Sequence, residues 1–266
     1  MSAPWGNAPI FYALAHVQFN AIPAMAKYAP EIADRLRRAG YPDAQEDKQS
    51  VASFDMTIGG DPDAQKMDRR EVLRWRLSNR EKTACFLLSQ DALIYQTTHY
   101  SGRDAFFAEL QKGLEVVHKV VGLDFVDRIG LRYLNSVLPC EGETLDQYLI
   151  PEVLGLSGKL KDGLQQGLVE AVAQLSYGIL VSRAYTVVSQ GGNPPLPPEL
   201  LPLQLEVQPR FSPRNGFITV LDNDCFIQKR DAFSLSSIVA TLQKLREGIG
   251  LAFDCSFTPF AQDRWK

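Results

Sequence analysis

Runs of apolar residues alternate along this chain with helical patterns. The stretch Phe11-Tyr12-Ala13-Leu14-Ala15-His16-Val17-Gln18-Phe19 reads as a first strand. Over residues 24–38, Met25, Tyr28, Ile32 and Leu36 share one helical face, while Lys27, Glu31, Asp34 and Arg35 point elsewhere. Gly40 follows as a stop, so this segment is expected to be an amphipathic helix lying on a sheet. Strands are expected at 51–58 and 73–77 around a polar loop over 59–70, and at 83–89 and 93–98 around the turn Gln90-Asp91. A helix over 103–121 aligns Phe106, Leu110, Val117 and Val121, Gly122 ends it, and 125–138 returns as a strand.

A weak internal repeat follows. Phe86 to Tyr95, a polar link and the helix from Arg103 resemble Phe217 to Ile227, a second link and a helix over 234–253. Ile238, Leu242, Leu245 and Ile249 give that helix its apolar stripe, and Ser234 or Ser236 can cap it. The expected fold is α+β, with largely antiparallel sheets and long packed helices in two related β-β-α halves. Residues 1–140 form the first half, 141–167 connect, and 168–266 form the second. Within the latter, 169–180 and 182–190 read as paired strands, although Leu164, Leu168 and Val172 also fit a helical period. The stretch 191–198 holds four prolines and reads as an exposed loop, with a Pro-rich ligand for another domain as the other reading.

Composition narrows the function classes. With 266 residues, 45% hydrophobic and 22% charged, the chain suits one large globular domain or two ordinary ones. A formal net charge of −3 gives no bulk attraction to nucleic acid or anionic membranes, and leaves only a local basic patch for such binding. The N-terminal residues show no basic, then apolar, leader pattern, and no apolar run is long enough to span a bilayer, so a cytoplasmic protein without membrane contact is expected. Cys85, Cys140, Cys225 and Cys255 lack CxxC spacing and suit reduced thiols.

The densest signal is Arg128-Ile129-Gly130-Leu131-Arg132-Tyr133-Leu134-Asn135. Together with Leu221-Asp222-Asn223-Asp224, the closing Phe253-Asp254-Cys255-Ser256-Phe257-Thr258 and the opening Ala8-Pro9-Ile10, it resembles a sporadically distributed bacterial family of uncharacterised proteins. Leu134 stands where isoleucine is commoner in that family. The resemblance spans nearly the whole chain. It implies no activity, cofactor or catalytic residue; its sporadic distribution points to defence against phage or to mobile elements.

On a strand, Arg128 and Arg132 share one face about 13 Å apart, with Gly130 between them, and can bracket an extended anion. Tyr133 and Asn135 take the other face. The bland reading pairs these arginines with carboxylates such as Asp124 or Asp127. Asp222 and Asp224 also share a strand face. They can hold a divalent metal for phosphodiester chemistry, or instead pair with Arg128 or Arg132, which is the preferred expectation. Arg69, Arg70, Arg74, Trp75, Arg76 and Arg80 form the densest basic run, with Arg74 and Arg76 on one face and Trp75 on the other. Such a ribbon can grip phosphates or simply guard a sheet edge. His16, His99 and His118 lack HExxH spacing, and no GxSxG, P-loop or GxGxxG occurs. The leading expectation is a non-enzymatic binding component with a protein partner, nucleic acid being possible through the basic patch and no cofactor being required. The alternatives are a metal-dependent phosphodiesterase or nuclease using Asp222 and Asp224, and a small-ligand sensor with a cavity between sheet and helix.

Overall fold

The computed structural model describes residues 7–53, 68–160, 163–212 and 215–266, and side chains are described outside 48–53 and 68–72. The elements run β1 (Ile10–Phe19), α1 (Met25–Arg38), β2 (Asp43–Ser53), β3 (Asp68–Ser78), β4 (Ala84–Leu88), β5 (Ala92–Thr97), α2 (Arg103–Val121) and β6 (Phe125–Val137). They continue as α3 (Leu145–Tyr148), α4 (Pro151–Leu154), β7 (Gln166–Leu175), β8 (Gly178–Ser189), β9 (Gly216–Ala232), α5 (Leu235–Ser256) and α6 (Pro259–Trp265). The nine strands among the described residues form a single sheet in the order β2-β3-β4-β5-β1-β6-β9-β8-β7, and each neighbouring pair is antiparallel. The fold is α+β.

The strand order is nearly palindromic. β4, β5 and α2 on one side are matched by β8, β9 and α5 on the other, and the antiparallel pair β1–β6 forms the seam. β6 pairs with β1 on one side and with β9 on the other, so the sheet runs without a break from β2 to β7.

Strand alternation sends Ala13, Ala15, Val17, Leu131 and Tyr133 into one core with Ile32, Leu36, Leu110, Leu114, Leu242 and Leu245 from the three long helices. α2 lies so close to β4 that a Cβ on Gly113 would stand 2.3 Å from the Phe86 ring. At the C-terminal end of β6, Val137 and Leu221 pack with Tyr148, Phe257 and Trp265, so the short helices α3, α4 and α6 close a second cluster. On the opposite sheet face, Leu196, Leu200, Leu203, Val207 and Phe211 cover Phe11, Tyr12, Leu134 and Val220. A bulge between Ile10 and Tyr12 lets Phe11 and Tyr12 both join that cluster.

Several sequence expectations need correction. Ala29 takes the buried place on α1 expected of Tyr28, which is 38% exposed, because the core stripe runs through Met25, Ala29, Ile32 and Leu36. β2 begins at Asp43, well before residue 51, since a polar edge strand carries no apolar alternation. The rest of the expected 51–58 strand past Ser53, and the loop up to residue 67, lie outside the described residues. The β7–β8 hairpin turns at Ser176-Tyr177 rather than at residue 181. There Gly178 passes so near β9 that a Cβ would meet the Phe226 carbonyl oxygen at 2.6 Å. Residues 217–227 belong to one continuous strand, β9. The proline stretch is not simply exposed: Pro194 and Pro197 are buried, and Leu196 packs against the cluster of Phe11, Tyr12 and Leu134.

Candidate functional site

The sheet face turned away from the long helices carries the charged residues that the sequence singled out. Pairing registers place Arg132 opposite Asp224, with Leu134 opposite Asp222 and Arg183 beyond it. Arg132 reaches diagonally and donates from Nε and Nη2 to the two oxygens of Asp222, each at 2.6 Å. The Arg132 side chain is 8% exposed and that of Asp222 0%. Glu199, from the covering segment, accepts a further bond from Arg132 at 2.8 Å, while Arg183 stands 3.7 Å from Asp222 and pairs with Glu170. Burial alone would lower the Arg132 pKa; the hydrogen bonds and charge of Asp222 outweigh it and hold it above the usual value.

The carboxylates expected near the arginines are engaged elsewhere. Asp127 binds Arg230 at 2.7 Å, and Asp124 accepts from Asn20 at 3.3 Å. Tyr133 turns to the helix side, where its hydroxyl lies 3.3 Å from that of Tyr100, and burial pushes its pKa far up. Asn135 sits beside it at 1% exposure, with neither amide atom hydrogen-bonded among the described residues. The polar network expected on that face is therefore only a tyrosine pair.

Arg128 differs from Arg132. Its guanidinium lies across Gly130, where a Cβ would be 3.5 Å from Nη1, and stacks on the Phe226 ring at 4.4 Å. Nη1 donates to Nδ1 of His16 at 2.9 Å. No carboxylate among the described residues is within ion-pair distance of it. Burial first, then the positive charges of Arg128 and Arg74, hold His16 down to a pKa of about 3, so the ring is neutral and accepts the bond. Burial also lowers the Arg128 pKa and raises that of Asp224, a half-buried carboxylate with no hydrogen bond among the described residues.

β3 brings its arginines to this same face. Arg76 is 7% exposed and tied to Gln45 and Asp47, each at 2.8 Å, whereas Arg74 is half-buried and acts on His16 across β4 and β5. Trp75 takes the helix side as expected and donates to Glu46 at 3.1 Å. Arg80 lies exposed in the following turn, and the side chains of Arg69 and Arg70 fall outside the described residues. The sheet thus gathers His16, Arg128 and Phe226, from three strands, into one half-open centre, with Arg74 of β3 on the same face. His16 and Phe226 were missed because a linear sequence does not show which strand neighbours which; their only signal was that each is a polar or aromatic interruption of an alternating strand.

The two aspartates are separated in role: Asp222 has both oxygens occupied by Arg132, and Asp224 faces the Arg128 side. No group of three His, Cys, Asp or Glu side chains suited to a metal occurs among the described residues. A cleft of about 460 Å³ lies where β6 leaves the sheet and β9 enters it, lined by Cys140, Glu143, Thr144, Leu154, Thr186 and Phe217 among others. That is a small-ligand volume, but the cleft stands at a sheet end and not between sheet and long helices. No described helix is long and apolar enough to cross a membrane. The chain matches no protein-family model, no curated protein and no solved structure.

Proposed function

We propose that this protein is a non-enzymatic binding component that holds an acidic partner protein over the sheet face turned away from its long helices, with Arg128 at the centre. The observation that carries the reading is a half-buried guanidinium whose only described polar partner is a neutral imidazole. Partly desolvating a cation without a carboxylate is costly, and an incoming carboxylate returns that cost as a charge-assisted, bidentate bond. Leu14, Leu87, Ile94, Phe226 and Ile179 are half-buried around it, a mixture of arginine, aromatic and aliphatic surface that suits a protein contact. Asp91 and Asp224 dilute the positive field, which favours a partner with isolated carboxylates over a polyanion such as nucleic acid.

The test is a photo-crosslinking residue placed at Gln18, with adducts read from the protein's own host. A protein adduct that disappears in Arg128→Gln, while the melting temperature stays within about 1 kcal/mol equivalent of wild type, supports the reading. A nuclease-sensitive adduct transfers the site to nucleic acid, and absence of any adduct ends the proposal.

A further inference from the structure

The two edges of the sheet are built differently. β2 carries Asp43, Glu46 and Asp47, the kind of charged edge that repels a further strand. β7, Gln166-Gly167-Leu168-Val169-Glu170-Ala171-Val172-Ala173-Gln174-Leu175, runs in unbroken register along β8, with no proline, lysine or bulge. Its one charge, Glu170, is neutralised by Arg183 of the same chain. Leu168 and Val172 project from it at 58% and 63% exposure. A long, apolar edge whose outer side meets no further strand among the described residues is the form that takes up another strand.

We propose that the strand taken up is a second copy of β7, paired antiparallel about a twofold axis through Val172. A twofold axis normal to the sheet keeps each face on its own side, so opposed residue numbers must sum to an even value. An axis at Glu170 would set two like charges directly opposite each other, which disfavours that register. An axis at Val172 sets Val172 against Val172, Ala171 against Ala173, Val169 against Leu175, and Glu170 against the neutral Gln174. Every cross-strand pair is then apolar or uncharged on at least one side. The strand is self-complementary, and this identifies the occupant as another copy rather than a segment of different charge. The dimer extends the sheet at an edge three strands away from β6, leaving Arg128 and His16 open.

Sedimentation equilibrium of the full chain tests this directly. The wild type is expected at twice the chain mass, and Val172→Lys at the monomer mass, because it places two ammonium groups on the axis; association weakens on the order of tenfold or more. The melting temperature of the monomeric Val172→Lys protein should match that of wild type at low concentration, since the side chain is exposed. In a Cys140→Ser, Cys255→Ser background, Val172→Cys should be joined to its counterpart by a short bis-maleimide, which tests the same register without disturbing charge. A wild type that stays monomeric at its highest soluble concentration overturns the proposal. So does a dimer that persists in Val172→Lys, or a Val172→Cys protein that fails to crosslink.

Discussion

Replacing Arg132 with methionine removes the cation that faces both oxygens of a fully buried carboxylate. Asp222 is left with Arg183, 3.7 Å away and already paired with Glu170, as its nearest positive group. Truncating one partner of a buried ion pair costs about 3–5 kcal/mol, because the surviving charge stays desolvated. The closeness of Arg183 places the expected loss at the lower end, about 3 kcal/mol, or roughly 6–12 °C in melting temperature for a chain of this size. The bond to Glu199 adds little, since that side chain is 56% exposed and water already screens it. Asp222→Leu should be costly for the mirror-image reason, while Arg132→Met combined with Asp222→Leu removes both charges and should recover to within about 1 kcal/mol of wild type. Urea unfolding of the four proteins forms a double-mutant cycle. The reasoning fails if Arg132→Met alone costs less than about 1 kcal/mol, or if it costs the same with Asp222 present and absent.

Three further outcomes are expected. His16 has a folded pKa of about 3 against an ordinary 6.5, so below pH 6.5 the unfolded chain binds a proton that the folded one refuses. Stability should therefore fall on acidification, by about 1.6 kcal/mol between pH 6.5 and 5, and His16→Gln should flatten that slope in urea titrations at each pH. Gly113→Ala pushes a methyl group into the Phe86 ring and should cost about 1–3 kcal/mol, whereas Gly130→Ala, whose nearest contact would be 3.4 Å, should leave melting almost unchanged. Iodoacetamide at neutral pH should label the exposed Cys140 and Cys255 and spare Cys85 and Cys225, which are buried with thiol pKa values pushed up to about 11; equal labelling of all four, read by mass spectrometry, would contradict the packing.

Much of this fold was legible because local periodicity and local burial agree. α2 falls at the expected residues and ends at Gly122 in a left-handed turn, and Ser234 caps α5 by accepting from the Ser237 amide. Strands were read where apolar runs are long, as in β1 and β6. The polar edge β2 was misplaced because an exposed strand buries nothing and leaves no alternation to read. The strand holding Asp222-Asn223-Asp224 was read as a strand, but its full extent, Gly216–Ala232, and the partners of Asp222 and Asn223 on neighbouring strands were not. In the site, alternation alone placed Arg128 with Arg132 and Arg74 with Arg76. That these two pairs share one face, and that Arg132 is satisfied while Arg128 is not, depends on sheet order, which local sequence does not encode.

The central seam has a consequence for how the chain reaches this state. β1 lies between β5 and β6, so one of the first segments available waits for partners ending at residues 97 and 137, and β6 in turn waits for β9, whose pairing begins after residue 216. Such distant contacts make folding slow, because loop closure must precede the contacts that reward it. Until β9 arrives, the buried strand β6 is itself an open edge lined with Leu131, Leu134 and Val137. The folding order thus exposes, for a time, an open apolar edge in the middle of the sheet that the finished fold covers with β9.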